Sequence, residues 1–213
     1  MKMKTNKLIN TLTASALLLG LLGASLSSGV KAAGTSFTDV RQGSWYEATV
    51  QWGLSHNMVK GFQDGTFQPN KLVTEEEFLA MLFRAFEKDA VTGPTGHWAD
   101  IYYNRARELN YPVKSYTELP SRKLPIPRKQ VAELLTSAEG VSFNGDDAIS
   151  YLLAFGLAQG KNPDDLSVKG FDGAGKLTRA EALQFIKNLS EYGVGGLLER
   201  PEEASDPRDI PQF

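Results

Sequence analysis

The stretch VTEEEFLAMLFRAF, residues 73–86, carries a helix start and one buried stripe. Thr74-Glu75-Glu76-Glu77 is a capping box, in which the threonine hydroxyl and the glutamate three positions on take up orphan amide donors of the first turn. Behind it, Phe78, Met81, Leu82 and Ala85 fall at i, i+3, i+4 and i+7, the spacing of a single apolar helix face. The same sentence recurs at LTRAEALQFIKNL, residues 177–189, where Thr178 and Glu181 frame the box and Ala182, Phe185, Ile186 and Leu189 form the stripe. A third copy opens at Pro127-Arg128-Lys129-Gln130 and continues with Val131, Leu134, Leu135 and Ala138. The three starts, 74, 127 and 178, lie 53 and 51 residues apart, so the chain is built on a repeat.

Each copy has a helix upstream. In the first, Ser44-Trp45-Tyr46-Glu47 reads as a further capping box, with Trp45, Ala48 and Trp52 on one face and Val50, Leu54 and Met58 widening it. Trp98 precedes Pro127 by 29 residues, as Trp45 precedes Thr74. In the third copy Ala148, Ile149, Leu152, Leu153 and Leu157 supply the apolar face, and Asn144 stands near the tryptophan position. Between the first two helices runs Gly61-Phe62-Gln63-Asp64-Gly65-Thr66-Phe67-Gln68-Pro69. Its Asp-Gly pair is a tight-turn signal beside alternating aromatics, which predicts a short extended or hairpin-like loop. Helix pairs of this size cannot bury both faces alone. The prediction is an all-α fold of three helix-loop-helix units, at 35–88, 95–140 and 141–190, packed together around a central helical bundle with one helix from each. Residues 191–213, rich in Gly, Pro and charge, read as a flexible tail.

The 213 residues are 41% apolar and 23% charged, ordinary globular usage with room for a sizeable core. Mean hydropathy is −0.28. With no cysteine, disulfides, thiolate nucleophiles and zinc-thiolate sites are excluded, and only His56 and His97 offer imidazole chemistry. Residues 1–7 carry three lysines and no acid, an apolar run is densest at 14–26, and Val30-Lys31-Ala32 has small residues at cleavage-type positions. Residues 1–32 read as a signal peptide cut after Ala32, and the product as secreted, with no membrane contact after cleavage. Removing them takes away four lysines and no acid, leaving 19 basic against 25 acidic side chains and a formal charge of −6. That balance speaks against nucleic acid as a partner and requires a local basic pocket for any anionic ligand.

Phe37-Thr38-Asp39-Val40, Trp45, Gly61-Phe62, Asp64-Gly65-Thr66-Phe67, Pro69, Val73-Thr74 through Phe78 and Met81-Leu82 resemble an S-layer homology (SLH) repeat, and Leu177-Thr178-Arg179-Ala180-Glu181 is similar to the signature of that family. The resemblance is strong in the first unit and weak in the other two. It implies a domain of three repeats in a pseudo-threefold arrangement that anchors exported bacterial proteins noncovalently to a secondary cell-wall polysaccharide, commonly a pyruvylated one, at grooves between neighbouring repeats. Carried over by position, it implies an arginine role for Arg179 and Arg128, a loop role for Gly61, Asp64 and Gly65, and an aromatic role for Trp45 and Trp98. A guanidinium fork suits a carboxylate, and an indole face covers the apolar side of a sugar. Departures from the pattern stand beside the matches. Glu75 occupies the first signature's arginine position, where it would repel an anionic ligand. Pro127 replaces the capping threonine, the 111–124 segment lacks the Asp-Gly-Thr-Phe loop, and the third loop is enlarged over 161–176.

Competing readings of the same residues remain. Helical periodicity places Trp45 and Trp98 in packing cores, Asp64 and Gly65 are turn formers, and Arg128 and Arg179 could serve in ordinary salt bridges. His56 and His97 have no metal-ligand partner nearby in sequence. Gly170 to Glu181 imitates a calcium loop, but Gly170 and Ala174 remove ligands at its first and fifth positions. The carboxylate runs at 75–77, 146–147 and 164–165 are solvated faces or caps, not a pair spaced across a glycosidic bond. The sequence therefore predicts a secreted, non-catalytic, cell-wall or S-layer associated anchoring protein without cofactor or metal. Its predicted partner is wall polysaccharide, with other envelope proteins as a further class. The alternative is an SLH-scaffold structural or protein-interaction module with little or no glycan binding.

Overall fold

Two of the predicted helix starts are built as the capping boxes require. Helix α2 (Glu75–Phe86) is preceded by Thr74, whose hydroxyl accepts from the Glu77 amide at 3.3 Å while the Thr74 amide donates to Glu77 Oε2 at 3.1 Å. Helix α8 (Arg179–Tyr192) repeats this between Thr178 and Glu181 at 3.3 and 2.8 Å. The computed structural model describes residues 37–87, 96–162 and 164–211; the predicted signal peptide lies outside these. The remaining helices are α1 (Glu47–Ser55), α3 (Asp100–Glu108), the single turn α4 (Leu119–Arg122), α5 (Arg128–Ala138), α6 (Gly145–Ala154) and the single turn α7 (Val168–Phe171). A 3₁₀ turn at Pro207–Asp209 closes the described chain. Among the described residues there is no strand, and the fold is all-α.

The segments leading into α2, α5 and α8 meet at one point. Ile126 donates its amide to Val73 O at 2.9 Å, Val73 to Leu177 O at 3.0 Å, and Leu177 to Ile126 O at 3.3 Å, a closed ring of three main-chain hydrogen bonds. All three side chains are buried. Pro127 gives α5 no side-chain cap. The first two amides of α5, Arg128 and Lys129, donate to Gly175 O and Gly173 O, both at 2.9 Å, as those of Arg179 and Ala180 on α8 donate to Lys71 O and Pro69 O at 2.8 and 3.0 Å, so orphan donors of both helices are met by another unit's turn.

The helix pairs are exchanged around this ring. Helix α3 packs on α2, α6 on α5, and α1 on α8, so each upstream helix lies against the downstream helix of a different repeat, and the first helix closes on the last. The apolar stripes of α2, α5, α6 and α8 face the core as predicted, with Phe78, Leu82, Val131, Leu134, Leu135, Ile149, Leu152 and Ile186 buried. The arrangement of α1 differs from its prediction. Ser44 donates to Arg41 O instead of capping the helix, Tyr46 is the N-cap, and no side chain caps it. Trp45 is 61% exposed and Ala48 is exposed, while Thr49, Val50 and Gly53 turn inward. The reason is close approach to α8: a Cβ on Gly53 would stand 2.8 Å from Leu183 Cδ2. Small residues, not the tryptophan stripe, make that contact.

The segment beyond α8, expected to be flexible, is tied to the body. Leu198 donates its amide to Ala138 O at 3.0 Å, Arg200 to Leu109 O at 2.9 Å and Ser205 to Ser142 O at 3.2 Å. Ile210 is buried.

Candidate functional site

Helices α1, α3 and α6 end alike, and the end of α6 aims the loop that lines the candidate site. Asn57, Asn110 and Gly156 adopt positive φ of 57–66°. The following residues, Met58, Tyr111 and Leu157, donate back to Gly53 O, Ala106 O and Leu152 O at 3.0, 2.8 and 2.9 Å. These are Schellman ends, and the Asn and Gly residues at 57, 110 and 156 are the sequence signal that would have located them.

Beyond Gly156 the chain passes Gln159, Gly160 and Lys161 along the flank of α8, and a cavity of about 690 Å³ opens there. Its floor comes from α8 through Glu181, Gln184, Phe185, Asn188 and Tyr192. Trp45, at the entry to α1, closes the other side. A polar chain holds these walls in place: Thr49 Oγ1 donates to Gln184 Oε1, Gln184 Nε2 donates to Asn188 Oδ1 at 2.7 Å, and Asn188 Nδ2 donates to Leu157 O at 3.3 Å. The Trp45 ring meets Tyr46 edge-on at 5.3 Å, and Tyr192 is 67% exposed, so two aromatic surfaces remain open to the cavity.

Arg128 reaches the cavity wall but is almost fully committed within the protein. It is 1% exposed; Nε donates to Phe171 O at 2.8 Å, Nη2 to Gln159 O at 2.7 Å and Nη1 to Glu181 Oε1 at 3.0 Å. Its guanidinium lies over Phe171 and Phe185, 4.7 and 5.2 Å from the ring centroids. Burial lowers its pKa, an effect opposed by Glu181 and Asp172. Burial works to raise the Glu181 carboxyl, but the Thr178 hydrogen bonds, Arg128 and Lys161 outweigh it and hold the group below its ordinary value. Lys161 Nζ stands 3.5 Å from Glu181 Oε1 with its side chain 48% exposed. Arg128 and Lys161 thus share the Glu181 carboxylate in the lining, with Asp172 also acting on Arg128, and the cation exposed to the cavity is Lys161.

Arg179 lies at another junction. Its Nη2 donates to Lys60 O at 2.8 Å, and the guanidinium covers Phe62 and Phe67 at 5.3 and 4.8 Å. Burial lowers its pKa against the pull of Glu77. The Gly61–Thr66 loop beneath it is a tight turn, with Phe62 donating to Thr66 O at 2.8 Å and Gly65, at φ 77°, donating to Phe62 O at 3.0 Å. Asp64 Oδ1 accepts from the Thr66 amide and hydroxyl at 3.0 and 2.6 Å, bonds that lower its pKa. Asp39, at the start of the unit, accepts from the Phe67 and Gln68 amides, both at 2.7 Å. A Cβ on Gly61 would stand 2.1 Å from Phe37 Cε1, so glycine is required by that close approach. Trp98 is 47% exposed and meets Tyr102 edge-on. Of the residues singled out in the sequence, Trp45 and Arg128 line the cavity; Arg179, Gly61, Asp64, Gly65 and Trp98 do not.

The first-turn residues of the three downstream helices obey one rule. Arg128 on α5 pairs with Glu181, the third residue of α8, and Arg179 on α8 feels Glu77, the third residue of α2. Glu75 on α2 inverts the charge, and its partner on α5 is Gln130, which donates to Glu75 Oε2, while Tyr103 donates to Oε1 at 2.9 Å. The guanidinium missing from position 75 is supplied from the side by Arg122, 3.8 Å over the Tyr103 ring, whose Nη1 donates to Asp100 at 2.5 Å. Arg122 Nε and Nη2 donate to Ser115 O and Tyr116 O. Sequence reasoning saw the oddity of Glu75 but missed Gln130, Tyr103 and Arg122, which close that junction with internal partners.

Residues 36–79 match the family model described as S-layer homology domain, so that segment of the chain carries an SLH domain. It is 29% identical over 109 residues to a cellulosome-anchoring protein of Acetivibrio thermocellus, an alignment covering 46% of this chain and 24% of the relative. It is 33% identical over 87 residues to a surface layer protein of Brevibacillus choshinensis, and 32% identical over 87 residues to a middle cell wall protein of Brevibacillus brevis. Each of these two alignments covers 40% of this chain and 8% of the relative. The chain thus spans less than a quarter of the length of these relatives.

Proposed function

We propose that this chain is a secreted, non-catalytic anchoring protein of the bacterial cell envelope that holds wall polysaccharide in the cavity between α8 and α1. The observation that carries this reading is the pairing, in one cavity of about 690 Å³, of exposed aromatic faces at Trp45 and Tyr192 with the outward cation of Lys161. Aromatic faces cover the apolar side of sugar rings, and a cation beside them selects acidic substituents such as a pyruvyl ketal. Gln159, Gln184 and Asn188 add amides able to bond hydroxyls. The SLH match over residues 36–79 and the similarity to a cellulosome-anchoring protein and a surface layer protein point the same way. The closed ring at Val73, Ile126 and Leu177 and the exchanged helix pairs support an approximate threefold arrangement of the units.

In this reading Arg128 shapes the wall, Arg179 holds the separate junction at Lys60, Phe62 and Phe67, and the ligand's charge meets Lys161. The test is sedimentation of the mature chain with purified walls before and after removal of the secondary polysaccharide. Uptake on the intact walls and its loss on stripped ones is expected; equal uptake on both would reject polysaccharide recognition. A second reading, a protein-interaction module of the envelope, is favoured by the junction at Glu75, which is filled by Gln130, Tyr103 and Arg122. Capture of an envelope protein with no uptake on either wall preparation would decide for it.

A further inference from the structure

The cleft beside α5 has the same makings as the open cavity beside α8, yet polypeptide fills it. In the open cavity the walls are a downstream helix, the loop beyond Gly156 and the entry to the next upstream helix at Trp45. Around α5 the corresponding parts are the helix itself, the loop beyond Asn110 and Asn144, the N-cap of α6. Here Asn110 Nδ2 donates to Arg200 O at 3.0 Å, Tyr111 Oη donates to Leu198 O at 3.0 Å, and Arg200 Nη2 donates to Asn144 Oδ1 at 3.1 Å. The Val194 amide donates to Glu139 Oε1 at 3.0 Å, and the Ser142 amide donates to Ser205 Oγ at 2.9 Å.

We propose that this cleft is a peptide-binding groove, whose ligand is the chain's own segment from Gly196 to Ser205, held as a separable and exchangeable occupant. Three features carry it. Recognition runs mainly through the segment's backbone: Leu198, Arg200 and Ser205 donate amides to Ala138 O, Leu109 O and Ser142 O, while the Leu198 and Arg200 carbonyls are bonded in return. This is how an extended peptide is gripped, with a few side chains adding selectivity. The selecting groups are an arginine against Asn144 and a leucine seated on Gly140, where a Cβ would come within 2.8 Å of Leu198 Cδ1. Finally, the segment leaves α8 through Gly195, at φ 84°, and Gly196, both with open space around a Cβ position, a pivot that lets the strap open without disturbing the helix. The groove thus takes an extended peptide with leucine and arginine two positions apart, and while its own segment is in place no glycan can enter there. The inference stands independently of what binds beside Trp45.

The test inserts a specific protease site between Gly195 and Gly196 in the full chain, cuts it, and removes the released segment by gel filtration. A fluorescent peptide of residues 196–213 should then bind the cut protein saturably at one site, and should not bind the uncut chain. Tyr111→Phe and Asn144→Ala, each removing one hydrogen bond, should weaken the peptide by about three- to tenfold. Absence of saturable binding to a folded cut protein, or equal binding to the uncut one, overturns the proposal. Because cutting could unfold the protein, hydrogen exchange on the uncut chain gives a second reading. The amides of Leu198, Arg200 and Ser205 should exchange together and well before those of Val73, Ile126 and Leu177. Exchange of both groups only in global unfolding would mean that the segment is an inseparable part of the core and would also overturn it.

Discussion

Replacing Gln130 by glutamate would set two carboxylates against each other where the protein holds a carboxylate and an amide. Gln130 is 5% exposed and Glu75 3%, so water offers neither group relief. Two negative charges about 4 Å apart repel by about 4 kcal/mol at an effective dielectric constant near 20. The pair can escape by binding one proton, at a cost of about 1.4 kcal/mol for each pH unit above the ordinary carboxyl value. At pH 8 that escape costs about as much as the repulsion, so the variant should lose about 4 kcal/mol of stability. At pH 5 it is nearly free, and the loss should shrink to about 1 kcal/mol. For a domain of this size, 4 kcal/mol corresponds to a fall in Tm of roughly 8–16 °C. Urea denaturation at the two pH values, followed by circular dichroism, measures both numbers. The swap Glu75→Gln with Gln130→Glu restores one carboxylate and one amide and should recover most of the loss. A cost under about 1 kcal/mol at pH 8, or an equal cost at both pH values, would refute the assignment of Gln130 as compensation for Glu75.

Other consequences follow from the same contacts. Gly61→Ala would drive a methyl into Phe37 and should cost about 1–3 kcal/mol in urea denaturation. Arg128→Met strips Phe171 O, Gln159 O and Glu181 of their donor, and should destabilise the fold by about 3–5 kcal/mol, well before any effect on ligand could be read. Glu181 is held below its ordinary 4.5 in the folded state, so its contribution is present above that value and is lost as the pH falls through the depressed folded pKa. Glu181→Gln should therefore flatten the acid side of the stability profile below about pH 4.5, seen as a smaller drop in Tm between pH 5 and pH 3.

What the sequence disclosed and what it hid divide along the range of the interactions. The starts of α2 and α8 were legible because a capping box is complete within four residues, and the stripes behind them repeat at helical spacing. The orientation of α1 was not, because apolar periodicity weights large side chains, whereas the close crossing of α1 and α8 selects Gly53 and Thr49. The exchange of helix pairs between repeats was equally hidden, since nothing local tells α1 that its partner is α8 rather than α2. The segment after α8 reads as loose by composition, yet it is held by backbone hydrogen bonds, which composition does not register. At the candidate site, Trp45 and Arg128 were visible, but Lys161 was passed over inside an enlarged loop. Its importance depends on Arg128 and Glu181 already being paired with each other.

The most direct test of the glycan-holding cavity is the wall affinity of a Trp45→Ala, Lys161→Ala variant, measured by co-sedimentation beside the parent chain. Both residues are exposed at the cavity, so Tm should change little while uptake on polysaccharide-bearing walls falls at least tenfold, the equivalent of about 1.4 kcal/mol. Undiminished uptake by a variant of unchanged Tm would contradict the placement of the polysaccharide between α8 and α1.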